Sequence, residues 1–511
     1  MGKLSLSLLG AFLLAQTDLD AERWSQAIPQ GSTRALGMAG AFTALGGDPA
    51  NLTQNPAGLG LFLRGGLWLS PTLTISTTST SYINAVIDSR SRLGIGNFAV
   101  IFHGDGNKSI TQWSLGFGFN QEGLYHQQSR AVGFNQRNSF TQAIAEMAEG
   151  VPDTLLAFTP ALAYQNFFDL GAPLGTRGVI DAVNVNPFRY KGVFSEGGVY
   201  QEITAQELGR MNTWAIGAGL CYQNIVFFGA SLLIRDLRYS NLYRLREIDT
   251  DNRYDGTNST TPADEVSFRE KYSTSGTGIG LAVGVLVEPT DFLRLGLSMT
   301  TGSRMRLTDE YNAEMNFVLD DGRQNRTTYL EPFQYEYRFV YPYRVSGGVA
   351  LLLAKKGAIT LEGDFLDYRT VSFSPAGQNV YSYDQENEII EKEFGTAFNI
   401  RSGIEWMITP NVGLRGGYAY YSPVRNAEGQ LYYADYTRPQ ELKRLAMERQ
   451  FICLGGSYIM EKFFIDFAYM YGMGARKYPP YSVRNPTYGP APIVVIQSRT
   501  HMIFTTLGLR F

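Results

Sequence analysis

From residue 64 onward, apolar and polar side chains alternate with period two. In "KFFIDFAYMYGM" (462–473) one parity holds Phe463, Ile465, Phe467, Tyr469, Tyr471 and Met473, and the other Asp466, Ala468 and Gly472. In "AFNIRSGIEWMI" (397–408) Phe398, Ile400, Ile404, Trp406 and Ile408 oppose Asn399, Arg401, Gly403 and Glu405. In "YPYRVSGGVALLLA" (341–354) Tyr343, Val345, Val349, Leu351 and Leu353 oppose Arg344, Ser346, Gly348 and Ala350. Such alternation predicts strands with one apolar and one polar face. Fourteen segments are read this way: 65–76, 93–103, 111–120, 212–222, 225–238, 277–287, 292–305, 341–354, 358–370, 397–409, 411–421, 450–460, 463–472 and 499–511. Segments 158–168 and 313–319 also read as extended. Tight turns near 104–109, 223–224, 288–291, 355–357, 410–411 and 461–462 alternate with long loops at 121–210, 241–275, 306–340, 372–396, 422–449 and 473–498.

Two architectures produce such strands. A sandwich buries the apolar faces, whereas a transmembrane barrel turns them to lipid and keeps the polar faces in its lumen. Segments of about ten to twelve residues suit a tilted crossing of the bilayer. Their apolar faces end in Tyr, Trp and Phe, as aromatic girdles require. The alternation of short and long loops fits the same picture. The expected fold is therefore all-β: a transmembrane antiparallel barrel of 14 strands, an even number that brings both chain ends to one side. The terminal "TTLGLRF" closes an alternating strand with Phe511, resembling the signal read by outer-membrane assembly machinery.

Composition excludes several roles. A net charge of -3 over 511 residues argues against nucleic acid as a partner. Two cysteines and three histidines offer neither a disulfide framework nor zinc-ligand spacing, so no cofactor or metal is expected. At the N-terminus, Lys3 precedes an apolar stretch from Leu4 to Ala15 of leader length, and Ser25-Gln26-Ala27 fits a cleavage site. Residues 1–27 are thus expected to be a signal peptide. No downstream run approaches the roughly 20 apolar residues of a membrane helix.

Inward-facing charges recur on adjacent strands: Arg344, then Glu362 and Asp364, then Arg401 and Glu405, then Arg415. Cross-strand neighbours of opposite sign pair, giving a ladder that satisfies the lumen and anchors whatever fills it. A surplus arginine, Arg344 or Arg401, would instead attract a substrate carboxylate. In the first long loop, "SFTQAIAEMAE" (139–149) places Phe140, Ile144 and Met147 on one helical face with Ser139 as its cap. That face either packs on a neighbour or collects an apolar ligand. No G-x-S-x-G motif accompanies the histidines, which argues against an enzyme such as an outer-membrane lipase.

The segment "TRALGMAGAFTALGGDPANLTQNPAGL", Thr33 to Leu59, resembles the N-terminal signature of the FadL/TodX family of outer-membrane transporters for hydrophobic compounds. The hairpins "YPYRVSGGVALLLAKKGAITLEGDFLDYRTVSF" and "FNIRSGIEWMITPNVGLRGGYAYYSPV" are also similar to that family, while 121–275 matches only in outline. The resemblance implies a barrel (64–511) around an N-terminal plug, or hatch (28–63). It implies a gate at Asn55, Pro56, Ala57 and Gly58 beside a kinked third strand, for which Gly116 and Gly118 are the candidates. It also implies a location in the outer membrane of a Gram-negative bacterium, among lipid and lipopolysaccharide, and passive passage of long-chain fatty acids or aromatic hydrocarbons. Some relatives with the same signature are PorV-like scaffold or shuttle subunits of a secretion apparatus. Tyrosine-rich loops such as 432–439 would suit a protein partner of that kind.

Overall fold

A computed structural model describes residues 18–169, 176–185, 187–194, 196–254, 263–329, 332–354, 356–378, 381–426, 448–481, 483 and 489–511. The loop at 432–439 lies outside these residues. Fourteen antiparallel strands form the wall. They are β1 (Gly66–Ser81), β2 (Ala85–Asp105), β3 (Ile110–Asn135), β4 (Val199–Tyr222), β5 (Val226–Ile248), β6 (Glu265–Thr290) and β7 (Leu293–Thr300 continued by Arg304–Val318). They continue as β8 (Phe333–Val340 with Arg344–Leu353), β9 (Gly357–Asp367 with Ser372–Pro375), β10 (Thr396–Thr409), β11 (Val412–Tyr421), β12 (Arg449–Ile459), β13 (Phe463–Tyr478) and β14 (Val494–Arg510). β14 pairs with β1, Arg510 opposite Gly66, and the ring closes. Among the described residues no helix is long and apolar enough to cross a membrane. The wall crosses with strands instead.

The alternation is realised as written. Phe463, Ile465 and Phe467 face outward while Asp466 is buried inside. Outward Leu, Ile, Val and Phe form the belt that a spanning barrel presents to lipid. Phe102, Trp113, Tyr222, Phe292, Trp406, Tyr458, Phe463 and Phe511 are exposed at the tight-turn ends and make one aromatic girdle. Several strands run far past the belt on the long-loop side: β3 and β4 stay paired up to Asn135 and Val199. Segment 313–319 belongs to this extension, in β7. Phe158–Gln165 is a helix rather than the extended segment read from the sequence. Its apolar residues serve a packed loop layer, where short runs do not reveal their period. His126, placed in a loop by the sequence, lies within β3.

A lumen this wide must be filled. Two layers fill it. On the tight-turn side sits the plug, with α2 (Thr33–Gly37) and two 3-10 turns, Pro49–Leu52 and Pro56–Leu61. On the long-loop side an aromatic core surrounds α1 (Asp18–Ser25), whose Trp24 meets Phe339 edge-on at 5.5 Å. Arg425 bonds Asp18 and Glu22 of α1 and also Glu393. Residues 18–25, assigned above to a leader ending at Ala27, therefore fill the lumen. Cleavage at Ala27 would remove Trp24 from this core and strip Arg425 of two carboxylates.

Candidate functional site

The charge series becomes the seat of the plug. Arg401 bonds Glu362 and lies 2.7 Å from Asp364, which also accepts from Ser346 Oγ at 2.6 Å. The second Glu362 oxygen accepts from Thr43 N of the plug at 2.9 Å. Glu405 takes Arg34 of the plug at 2.9 Å and Arg415 at 3.4 Å, and Arg415 reaches Asp466 at 2.9 Å. Arg344 Nη2 donates to Thr53 O of the plug at 3.4 Å. Arg401 is thus held by two carboxylates, while Arg344 bonds the plug backbone.

Asn55 caps the second 3-10 turn: its Oδ1 accepts from Ala57 N at 3.2 Å, with Pro56 at the first helical position. Its Nδ2 donates to Thr43 O at 2.7 Å and to Val285 O of β6 at 3.3 Å. Gly58 O accepts from Gly47 N at 3.0 Å, tying two plug segments together. The turn is pressed against the wall so closely that a Cβ on Gly229 of β5 would run into the Pro56 and Ala57 backbone. Asn55-Pro56-Ala57 is therefore wedged against β5 and β6 toward the tight-turn end.

A gap in the strand pairing of the wall, called the opening below, lies elsewhere. β2 pairs with β3 only from Asn97↔Asn120 down to Asp105↔Gln112. Above that, residues 85–95 of β2 stay with β1, while β3 turns inward with β4 after a register shift at Gln121/Gly123. Thr78 of β1 bonds the Gln128 carbonyl of the displaced strand. The lower lip is Asn97 Nδ2 to Asn120 Oδ1 at 2.6 Å, and the upper lip is Asn84 N to Val132 O at 3.0 Å. Thr53 is the plug residue at the lower lip, 2.8 Å from Asn120 Nδ2. Gly116 and Gly118, the residues singled out for the kink, remain in regular register opposite Ile101 and Ala99. A Cβ on Gly116 would meet Ile101 and Leu52, and one on Gly118 the Phe98 backbone, so their bareness serves close packing. The kink comes at the bulge, where Glu122 turns into the lumen as a buried partner of Arg235 at 2.8 Å.

Above the plug is a cavity of about 530 Å³, within the usual range of ligand pockets. Leu19, Arg23 and Ile28 bound it from the N-terminal segment, and Phe140, Ala143 and Met147 of α3 (Phe140–Ala148) from the loop layer. Ser139 caps α3, accepting from Gln142 N at 3.0 Å. Ile144 of the same helix is fully buried, so one part of the helical face packs and another meets the cavity. Leu124, His126 and Gln127 of β3 complete the lining on the side of the opening. Of the polar groups, Glu207 holds Arg476 at 3.1 Å and Arg23 at 3.4 Å. Arg449 lies over the Tyr421 ring at 5.7 Å and has no carboxylate partner among the described residues. Sequence reading missed these groups because distant strands bring them together.

The N-terminus of α3 rests on a carboxylate. Glu247 is fully buried beyond the lipid-facing part of β5 and accepts from Phe140 N at 2.6 Å and Gln201 Nε2 at 2.6 Å. Burial pushes its carboxyl up to about 7, against the lowering effect of these donors. A folded-state value above the ordinary 4.5 means the fold favours the protonated form. Its contribution is full below about 4.5 and is lost as pH rises through about 7. Amide exchange across α3, corrected for intrinsic rates, should therefore be faster at about pH 9 than at about pH 5. Glu247→Gln should remove the difference; a difference that survives would place its origin elsewhere.

No protein-family model matches the chain, and no curated protein matches it. Solved structures do. A FadL homologue from Pseudomonas aeruginosa matches with a TM-score of 0.54 at 12% identity, over 95% of this chain and 99% of that one. A TodX monoaromatic hydrocarbon channel, in its deltaS2 mutant form, matches with a TM-score of 0.50 at 12% identity, over 94% and 98%. With its closed fourteen-strand ring and N-terminal plug, the chain has the fold of these FadL-type barrels.

Proposed function

We propose that the chain is an outer-membrane channel for small hydrophobic molecules. They enter the cavity above the plug and leave sideways between β2 and β3. The observation that carries this reading is the location of the cavity: it is bounded by the inward-turned part of β3, whose departure from β2 opens the wall. Phe140, Met147, Phe268 and Phe451 give it an apolar lining. The likeness to a FadL homologue and to a hydrocarbon channel supports the same reading. Passage needs no energy source, since a ligand moves down its gradient or between sites of rising affinity. A long-chain fatty acid is the leading ligand and an aromatic hydrocarbon the second. In this scheme Asn55-Pro56-Ala57 seats the plug that blocks the straight route, and the opening supplies the exit.

Ala205 of β4 lines the cavity. Ala205→Trp should fill much of that space and lower uptake of labelled palmitate or toluene by about tenfold or more, while the barrel still shifts on gels when heated. Undiminished uptake by a folded Ala205→Trp barrel would remove the cavity from the route. A native barrel that takes up neither compound would favour the scaffold role.

A further inference from the structure

The opening is lined by arginines that have no carboxylate partner among the described residues. A register shift opposite Ser70/Pro71 changes the parity of β2 above Asn97. Ile87, Leu93 and Ile95 then point outward, while Arg90 and Arg92 are half-buried on the inner side, toward the displaced β3. Arg92 Nη1 donates to Gly209 O of β4 at 3.2 Å, spanning the opening. Arg210, the next residue, interacts electrostatically with Arg92, and His126 with both Arg90 and Arg92. Among the described residues, Arg90 Nη1 and Arg210 Nε are buried without a hydrogen-bond partner.

Most other lumen arginines are treated differently, although Arg344, which bonds the plug backbone, and Arg449, which lies over a tyrosine ring, also lack a carboxylate among the described residues. Arg34, Arg235, Arg401, Arg415 and Arg476 each hold a carboxylate within 3.1 Å, and Arg425 holds three. Among the described residues none of Arg90, Arg92 and Arg210 has a carboxylate within ion-pair distance, although Asp88 lies on the same face of β2. Three half-buried guanidinium groups side by side repel one another and are poorly solvated. An anion inserted among them relieves both costs, and the planar fork suits carboxylate or phosphate. The apolar flank at Ile87, Leu93 and Ile95 gives an attached chain somewhere to lie.

We propose that the wall opening is a binding site for an anionic head group, carboxylate or phosphate, borne on an acyl chain, with Arg90, Arg92 and Arg210 as its ligands. The head group comes either from a fatty acid leaving the cavity or from a resident lipid of the outer leaflet. Only the first source rests on the transport reading.

The test compares the native barrel with the Arg90→Gln/Arg92→Gln/Arg210→Gln variant in neutral detergent. One arm measures binding of parinaric acid and of its uncharged methyl ester by fluorescence. The other follows lipid A added to the protein, by native mass spectrometry. Parinaric acid weakened by about tenfold with the ester unchanged assigns the site to a passing carboxylate. Loss of the lipid A adduct with parinaric acid unchanged assigns it to a lipid phosphate. Both ligands unaffected would overturn the proposal. Arg210→Gln alone removes a side chain that makes no hydrogen bond among the described residues, so it keeps the test available if the triple variant fails to fold; a loss in the same direction is expected. A native barrel that transports nothing, yet loses its lipid A adduct in the variant, would refute the transport reading and leave this site standing.

Discussion

Glu362→Gln together with Asp364→Asn lowers the stability of the barrel by about 3–5 kcal/mol, the cost of stranding a buried charge. Arg401 is 2% exposed, and both of its carboxylate partners are among these two residues. After the double change the guanidinium retains only neutral acceptors in a site that excludes water. The plug loses as well, because Thr43 N donates to Glu362. The midpoint of denaturant unfolding, read from the gel mobility of folded and unfolded barrel, should fall clearly. Adding Arg401→Met to the double variant should recover much of the loss, since no charge then remains to be stranded. An unchanged midpoint in the double variant would mean that water reaches Arg401 and that the ladder is only solvated.

Glu122→Ala has an effect of similar size and tests the bulge. Glu122 is 1% exposed and Arg235 2%. The pair is closed by Thr213 and Ser303, and by Tyr341 OH at 3.3 Å. Truncation leaves Arg235 buried against the Tyr341 ring with no carboxylate, at a cost of about 3–5 kcal/mol. It also releases the side chain that fixes the inward turn of β3, so a spin label near the opening should report greater mobility. In a double-mutant cycle with Arg235→Met, the second change should cost far less in the Glu122→Ala background than alone. Additive losses would show that the two residues act independently and that the bulge is fixed by other contacts.

The wall was legible because each side of a strand meets a different medium. Lipid on one side and a filled lumen on the other impose a parity that 462–473 and 397–408 both carry. The partners within the charge ladder followed, since register places Arg401 beside Glu362 and Glu405 beside Arg415. What escaped notice depends on relations between strands. The opening arises where β2 and β3 cease to pair, and no residue pattern within either strand marks that point. Gly116 and Gly118 suggested a kink, but glycine also marks close packing, and here the plug supplies the pressure.

The contacts of the plug carry a kinetic consequence. Arg34 finds Glu405 across 371 residues of chain, and Thr33 accepts from Thr506 across 473. The segment made first therefore rests on strands made last, and the ring itself joins Gly66 to Arg510. Contacts so far apart in sequence form only after most of the chain's freedom has been given up, which makes folding slow. A chain that has not yet laid down β14 has no finished seat for its plug. Closure of the wall and docking of the plug then become a single late event, governed by the arrival of the C-terminal strand.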